Sequence, residues 1–159
     1  MKGNPKVITA LNELLRDELT AINQYMVHSE MCANWGYTRL HNEIERRAIT
    51  EMKHAEKHIA RIIFLEGMPE VSRLNDIKIG ANVEAQFKND IKDEHGAVAA
   101  YNAGIKLAAS VGDNATRDML ETILHDEEDH VDWLEAQLDQ IKQMGLQNYL
   151  AQQIKDQQA

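Results

Sequence analysis

Four apolar stripes at helical spacing run through this chain, and each is interrupted once, near its middle, by a glutamate. Steps of four and three residues connect Leu11, Leu15, Glu18, Ile22 and Tyr25 in the first stripe, and Ile44, Ala48, Glu51, Ala55, His58, Ile62 and Leu65 in the second. The third reads Phe87, Ile91, Glu94, Val98, Tyr101 and Ile105; the fourth reads Leu120, Leu124, Glu127, Val131, Leu134, Leu138 and Ile141. Residues at these steps share one face of an α-helix, so each stripe is a seam along which a helix packs. The pattern predicts an all-α four-helix bundle with four glutamates facing one interior.

The breakers agree. Only two prolines occur, Pro5 and Pro69, where a helix starts or has just stopped, and strand signals are absent. Asn4-Pro5 opens a helix to about Asn34, before the Trp35-Gly36 turn. Further helices are expected over Thr38 to Glu66, Asn82 to Ser110 and Asn114 to Met144, with Gly67 in the left-handed position after the second. Gly145 stops the fourth, and a short fifth helix runs from Leu146 to about Lys155, with Leu146, Leu150 and Ile154 on one face. Two connections are short and make antiparallel hairpins. The middle one, Met68 to Ala81, can reach roughly 45 Å at ~3.3 Å per residue. A crossover of that length places helices 2 and 3 parallel, and Val71, Leu74, Ile77 and Ile79 favour packing along the bundle.

At 159 residues the chain is expected to be a single domain, 1–159, with one core. Its 26 acidic and 17 basic side chains give a formal charge of -9, which argues against nucleic acid and favours cations. No stretch approaches the ~20 apolar residues that span a bilayer. The single cysteine, Cys32, and a start, MKGNPK, without the apolar run of a signal peptide point to the cytoplasm.

Four buried carboxylates at one level repel each other, so positive charge must sit among them. No lysine or arginine lies on the seams near the middle, but His54 follows Glu51 by three residues and His130 follows Glu127 by three, one turn along the same face. Glu18 and Glu51 are thirty-three positions apart, as are Glu94 and Glu127, and an offset of seventy-six maps one half onto the other, Tyr25 onto Tyr101 included. Approximate two-fold symmetry follows. Paired Glu-x-x-His motifs with two partner glutamates are the ligand pattern of di-iron carboxylate bundles. Such oxygen-rich ligation with some nitrogen suits iron or manganese. Glu18 and Glu94 read as terminal ligands, Glu51 and Glu127 as bridges, and His54 and His130 as one nitrogen per metal. Tyr25 and Tyr101 read as core tyrosines or as hydrogen-bonding or redox partners of the metals. Trp133 reads as packing or subunit contact, and Cys32 as a small buried residue. His28, His41, His95 and His125 are expected to be solvated or capping, and Asp126 to Asp129, Glu127 apart, a solvated face. Met52 is turned ~100° from Glu51 and reads as apolar cover at a subunit contact.

With these residues placed, the chain resembles the bacterioferritins over essentially its whole length. The resemblance rests on MKG at the start, AINQY at 21–25, EMKHA at 51–55, FLEG at 64–67, DEE-x-H-x-DWLE at 126–135 and MGLQNYL at 144–150. It implies a ferritin-like fold whose ferroxidase ligands are Glu18, Glu51, His54, Glu94, Glu127 and His130. It further implies a hollow 24-subunit shell, built from dimers, that oxidises Fe(II) with oxygen or peroxide and stores ferric mineral. Met52 falls on the methionine that each of two subunits contributes to a b-type haem, through which a small ferredoxin would deliver electrons for iron release. Rubrerythrins would need further cysteine pairs, and animal ferritins lack the second Glu-x-x-His. Some family members carry histidine and aspartate where this chain has Arg46 and Thr50, so an inner-surface iron site is not expected there; His58 stands where some have a redox tyrosine. The alternative reading is a di-iron or di-manganese oxidase or peroxidase that stores nothing, or a structural, haem-carrying shell subunit.

Overall fold

In a computed structural model that describes residues 1–154, the chain forms α1 (Pro5–Asn34), α2 (Thr38–Phe64), α3 (Val83–Ser110), α4 (Asn114–Met144) and α5 (Leu146–Ala151), with no strand among the described residues. Asn4 caps α1 by accepting from the Lys6 N–H, and Pro5 follows at a position that needs no donor. Asn82 caps α3 through the Ala85 N–H, and Asp113 caps α4 through the Thr116 N–H.

The seams form the interior: every residue assigned to one is buried or half-buried. The core has two apolar blocks. One joins Val7, Leu11 and Leu15 of α1 to Ala55 and Ile62 of α2, Tyr101 of α3 and Leu120 and Ile123 of α4. The other joins Tyr25 and Cys32 to Leu40, Ile44, Phe87, Leu134 and Ile141. The first half of α1 thus shares an end with the second halves of α2 and α3 and the first half of α4. That arrangement makes α2 and α3 parallel, as the crossover length predicts. Between the blocks, at mid-height, lies the layer that contains the glutamates.

Four expectations are corrected. Helix α2 ends at Phe64, two residues before Glu66, and the left-handed residue is Glu66 (φ 63°), not Gly67. Gly67 is needed for closeness: a Cβ there would stand 2.7 Å from Ile8 Cγ2 and 3.0 Å from Ile62 Cγ2. The crossover does run along α1, but polar groups hold it. Asn12 Oδ1 accepts from Glu70 N–H, Thr20 Oγ1 from Asn75 N–H, Gln24 Oε1 from Lys78 N–H and His28 Nε2 from Gly80 N–H. Its apolar side chains Val71, Leu74, Ile77 and Ile79 point outward and are exposed. In the last segment the buried residues are Tyr149 and Gln153; Leu146 and Leu150 are only half-buried and Ile154 is exposed, because the fifth helix ends at Ala151. Lys155, expected to end that helix, lies outside the described residues.

Candidate metal centre

Each of α1, α2, α3 and α4 brings one glutamate to the middle layer, and Glu18, Glu51, His54, Glu94, Glu127 and His130 are all buried there. Their ligating atoms gather into two groups, one of Glu18, Glu51, His54 and Glu127 and one of Glu51, Glu94 and His130, each within 4.8 Å. Glu51 belongs to both, the geometry of a bridge. His54 Nδ1 stands 3.1 Å from Glu51 Oε2, 3.0 Å from Glu127 Oε1 and 3.6 Å from Glu18 Oε2. At the other end His130 Nδ1 stands 2.8 Å from Glu94 Oε1. Buried acceptors Glu51 Oε1, Glu94 Oε2 and Glu127 Oε1 make no aligned hydrogen bond among the described residues, although charged nitrogens of Arg47 and His54 stand near them. An oxygen-rich, nitrogen-containing donor set with such unmatched acceptors fits two divalent cations.

The two halves brace each other. Tyr25 of the first half donates to Glu94 of the second, and Tyr101 of the second donates to Glu18 of the first. Burial, with the nearby carboxylates, pushes both phenols well above their ordinary range, so they remain donors. His58 Nε2 lies 2.7 Å from the Tyr101 oxygen. Since the phenol proton goes to Glu18, His58 donates its Nε2–H. Burial and the neighbouring His54 charge push the His58 imidazole down to about 3, so it is neutral. Trp133 stacks on His130 at 5.9 Å between ring centroids, and Tyr25 meets the same imidazole edge-on.

Electrostatics follow from burial. It pushes Glu51 up to about 8, helped by Glu18, and pushes Glu127 well up, helped by Glu51. Burial opposes charge on His54, yet the carboxylates of Glu127, Glu18 and Glu51 gathered around its Nδ1 outweigh it and raise the imidazole to about 12. For Glu94 burial again opposes ionisation, and the hydrogen bond and charge of His130, with Arg47, hold it below the usual carboxylate range.

Four residues depart from the sequence reading. Arg47 is buried in the layer: three residues after Ile44 and four before Glu51, it keeps the spacing of the second seam, which corrects the expectation that no basic residue lies on the seams near the middle. Its Nη2 donates to Glu127 Oε2 at 2.6 Å and reaches Glu94 Oε2 at 3.6 Å, while Nε pairs with Glu51 Oε1 at 2.5 Å without hydrogen-bond alignment. Asp126 is not merely solvated: its Oδ2 lies 3.0 Å from His54 Nε2, the orienting contact a metal-ligating imidazole needs. His28 is fully buried between Asp90, 3.1 Å from Nδ1, and the Gly80 N–H. His41 is half-buried on Ser29 Oγ at 2.8 Å. His95 and His125 are exposed, as expected. Cys32 is buried, its thiol pushed up to about 12 by burial, first of all, and Asp90. Met52 lies on the outward side of α2, 41% exposed, with Ile49 exposed one turn before it.

Two openings reach the layer. A cavity of about 690 Å³ between α1, α3 and the crossover is lined by Glu18, Glu51, Glu94 and Glu127, with Asp17, Asp76, Asp93, Lys78 and Lys92 also on its wall and Lys78 paired with Asp93. A smaller one of about 310 Å³, between α2 and α4, is lined by Glu43, Arg46, Arg47, Thr50, Asp126, Asp129, His130 and Trp133. No described helix is long and apolar enough to cross a membrane.

The family model for the ferritin-like domain matches residues 8–144. A bacterioferritin of Brucella melitensis biotype 1 is 42% identical over 149 residues, covering 94% of this chain and 92% of that protein. Bacterioferritin from Mycobacterium bovis is 40% identical over 152 residues, 96% of each chain, and that of Rhodobacter capsulatus 40% over 149 residues, 94% of this chain and 92% of that protein.

Proposed function

This chain belongs to the bacterioferritins, within the ferritin-like family, and from that premise we propose a single-domain iron-storage subunit that oxidises ferrous iron at the buried glutamate and histidine layer. The observation that carries the reading is the pair of ligand groups joined through Glu51. Four carboxylates offer a charge that two ferrous ions balance, and each group supplies one imidazole. Two ferrous ions give up two electrons, enough to reduce dioxygen to hydrogen peroxide or hydrogen peroxide to water. In this reading Glu18 and Glu94 are terminal ligands held by Tyr101 and Tyr25, Glu51 and Glu127 bridge, and Asp126 and Trp133 hold the two imidazoles in place. Ferrous iron enters by the wider opening, past Asp17, Asp76 and Asp93.

Assembly into a hollow shell built from dimers accords with the exposed apolar residues Met26, Val27, Trp35, Ile77 and Ile79, which gather around one cavity of about 710 Å³. Met52 fits a b-type haem only as half of a site, one exposed thioether beside exposed Ile49, with a second copy supplying the other methionine. Such a haem would pass electrons to stored ferric iron for its release, with a small ferredoxin as donor. Buried, unpaired Cys32 accords with the cytoplasm.

An anaerobic titration tests the centre. About two ferrous ions per subunit should bind and oxidise rapidly when oxygen is admitted. Glu18→Ala or Glu127→Ala oxidising iron as fast as the parent chain would show that the layer is not the site. A non-storing oxidase would bind the same two ions, yet its assembled particle would hold no more after prolonged loading.

A further inference from the structure

The two halves of the centre are not equivalent. The offset of seventy-six that maps every proposed ligand of one half onto the other sends Arg47 to Ile123, which is fully buried in the apolar core. Among the described residues, one end of the layer therefore has a guanidinium against it and the other has an isoleucine at the matching position. Around His54 gather Glu51 Oε2 and Glu127 Oε1; the other oxygens of the same two carboxylates, Glu51 Oε1 and Glu127 Oε2, are the ones Arg47 contacts at 2.5 and 2.6 Å. Its Nη2 also faces Glu94 Oε2 at 3.6 Å, the oxygen not used by His130. A cation ligated by His130 and Glu94 would draw its bridging oxygens from this set.

Resting on the reading of a two-cation centre, we infer that the Arg47 guanidinium competes with the cation at the His130 end and must swing out before both positions fill. A guanidinium and a divalent cation cannot both hold these oxygens. The metal needs them at roughly 2 Å, and two positive charges at that range in a buried layer repel strongly. The way out is built. Arg47 also lines the opening between α2 and α4, where Nη1 already donates to the Asp126 carbonyl at 3.2 Å. The carboxylates of Asp126, Asp129 and Glu43 line the same opening and can receive the displaced charge. In its inward position the guanidinium stands on the wall of this smaller opening, while the wall of the wider one between α1 and α3 does not include it. The His54 end therefore fills first, and the second cation binds more weakly by the fraction of time Arg47 sits inward.

Cobalt(II), added to the metal-stripped full-length protein and followed by its visible absorbance and by calorimetry, reads both steps without turnover. Two steps of unequal affinity are expected. In Arg47→Gln the second step should tighten by about tenfold or more with the first little changed. The metal-stripped variant should melt below the parent, because its carboxylates lose their counter-charge, and cobalt should close that gap. Arg47→Lys, which keeps the charge but loses the planar fork, should fall between the two; it carries the test if the glutamine variant does not fold. Two cobalt ions bound with the same second-step affinity in all three proteins would overturn the competition and leave the centre standing. A weaker second step in Arg47→Gln would also overturn it, making Arg47 a support for the loaded carboxylates. Failure of the parent protein to bind cobalt would overturn the two-cation reading itself, and this inference with it.

Discussion

An unpaired carboxylate in an apolar interior is costly, and four in one layer persist only if each meets a donor or a cation. Glu18 and Glu94 each have a tyrosine hydroxyl, and Glu51 and Glu127 share His54 and Arg47. The support reaches one residue further at Tyr101, which gives its proton to Glu18 and takes one from His58. Tyr101→Phe removes both contacts and strands the buried His58 Nε2–H, for a loss of about 1–3 kcal/mol by denaturant unfolding. Adding His58→Leu should recover part of it, since no polar ring is then left unmatched. A Tyr101→Phe chain as stable as the parent would show that the relay carries no stability.

Helix ends and the crossover decide how rigidly the layer is framed. Asp113 caps α4 and also receives Arg61 Nη2 at 2.7 Å, joining the start of α4 to the end of α2. Although burial alone would raise its carboxyl, hydrogen bonds from Thr116 and Arg61 outweigh that and hold it below the ordinary aspartate value. A depressed carboxyl stabilises the fold above its unfolded pKa and loses that contribution as pH falls through the folded one. Asp113→Ala should therefore cost about 0.5–2 kcal/mol at neutral pH, and the gap from the parent should shrink as the solution is acidified below the ordinary aspartate range. A gap constant with pH would assign the effect to something other than the ionised cap. The crossover depends on a different device. Asn12, Thr20, Gln24 and His28 recur at multiples of four along α1 and present a polar rail to its backbone N–H groups. Asp90 holds His28 by Nδ1, which leaves Nε2 to accept from Gly80. Because the backbone of the crossover is satisfied against α1, its apolar side chains are free to face outward.

Those outward faces matter for the whole molecule. Single exposed apolar residues are ordinary, but Met26, Val27, Trp35, Ile77 and Ile79 lining one concavity mark a surface that a second copy can cover. Val27→Glu should place a charge in that contact and shift the particle toward smaller species by size-exclusion chromatography with light scattering, while far-ultraviolet circular dichroism stays helical. An unchanged particle would remove this face from the assembly contacts. The haem reading also belongs to this scale, because one chain offers only one thioether. Met52→Leu should leave the particle intact and abolish haem absorbance; retained haem would reject Met52 as its ligand.

Periodicity determined the bundle and the side of each helix on which the six ligand candidates lie, since a helix converts spacing directly into facing, and the length of the crossover made the second and third helices parallel. The cap at Asn4 was readable for the same local reason. Arg47 keeps the seam's spacing too, three residues after Ile44 and four before Glu51, but which carboxylates it meets was not readable: only the separation of α2 and α4 lets its long side chain reach Glu127 and the Asp126 carbonyl. Asp126 on His54, His28 on Gly80 and the crossed tyrosine contacts likewise join residues tens of positions apart. The left-handed residue is Glu66, and Gly67 stands instead where a Cβ would press on Ile8 and Ile62. Sequence spacing sets which way a residue faces; which partner it meets there depends on distances between helices, and those exist only once the bundle has closed.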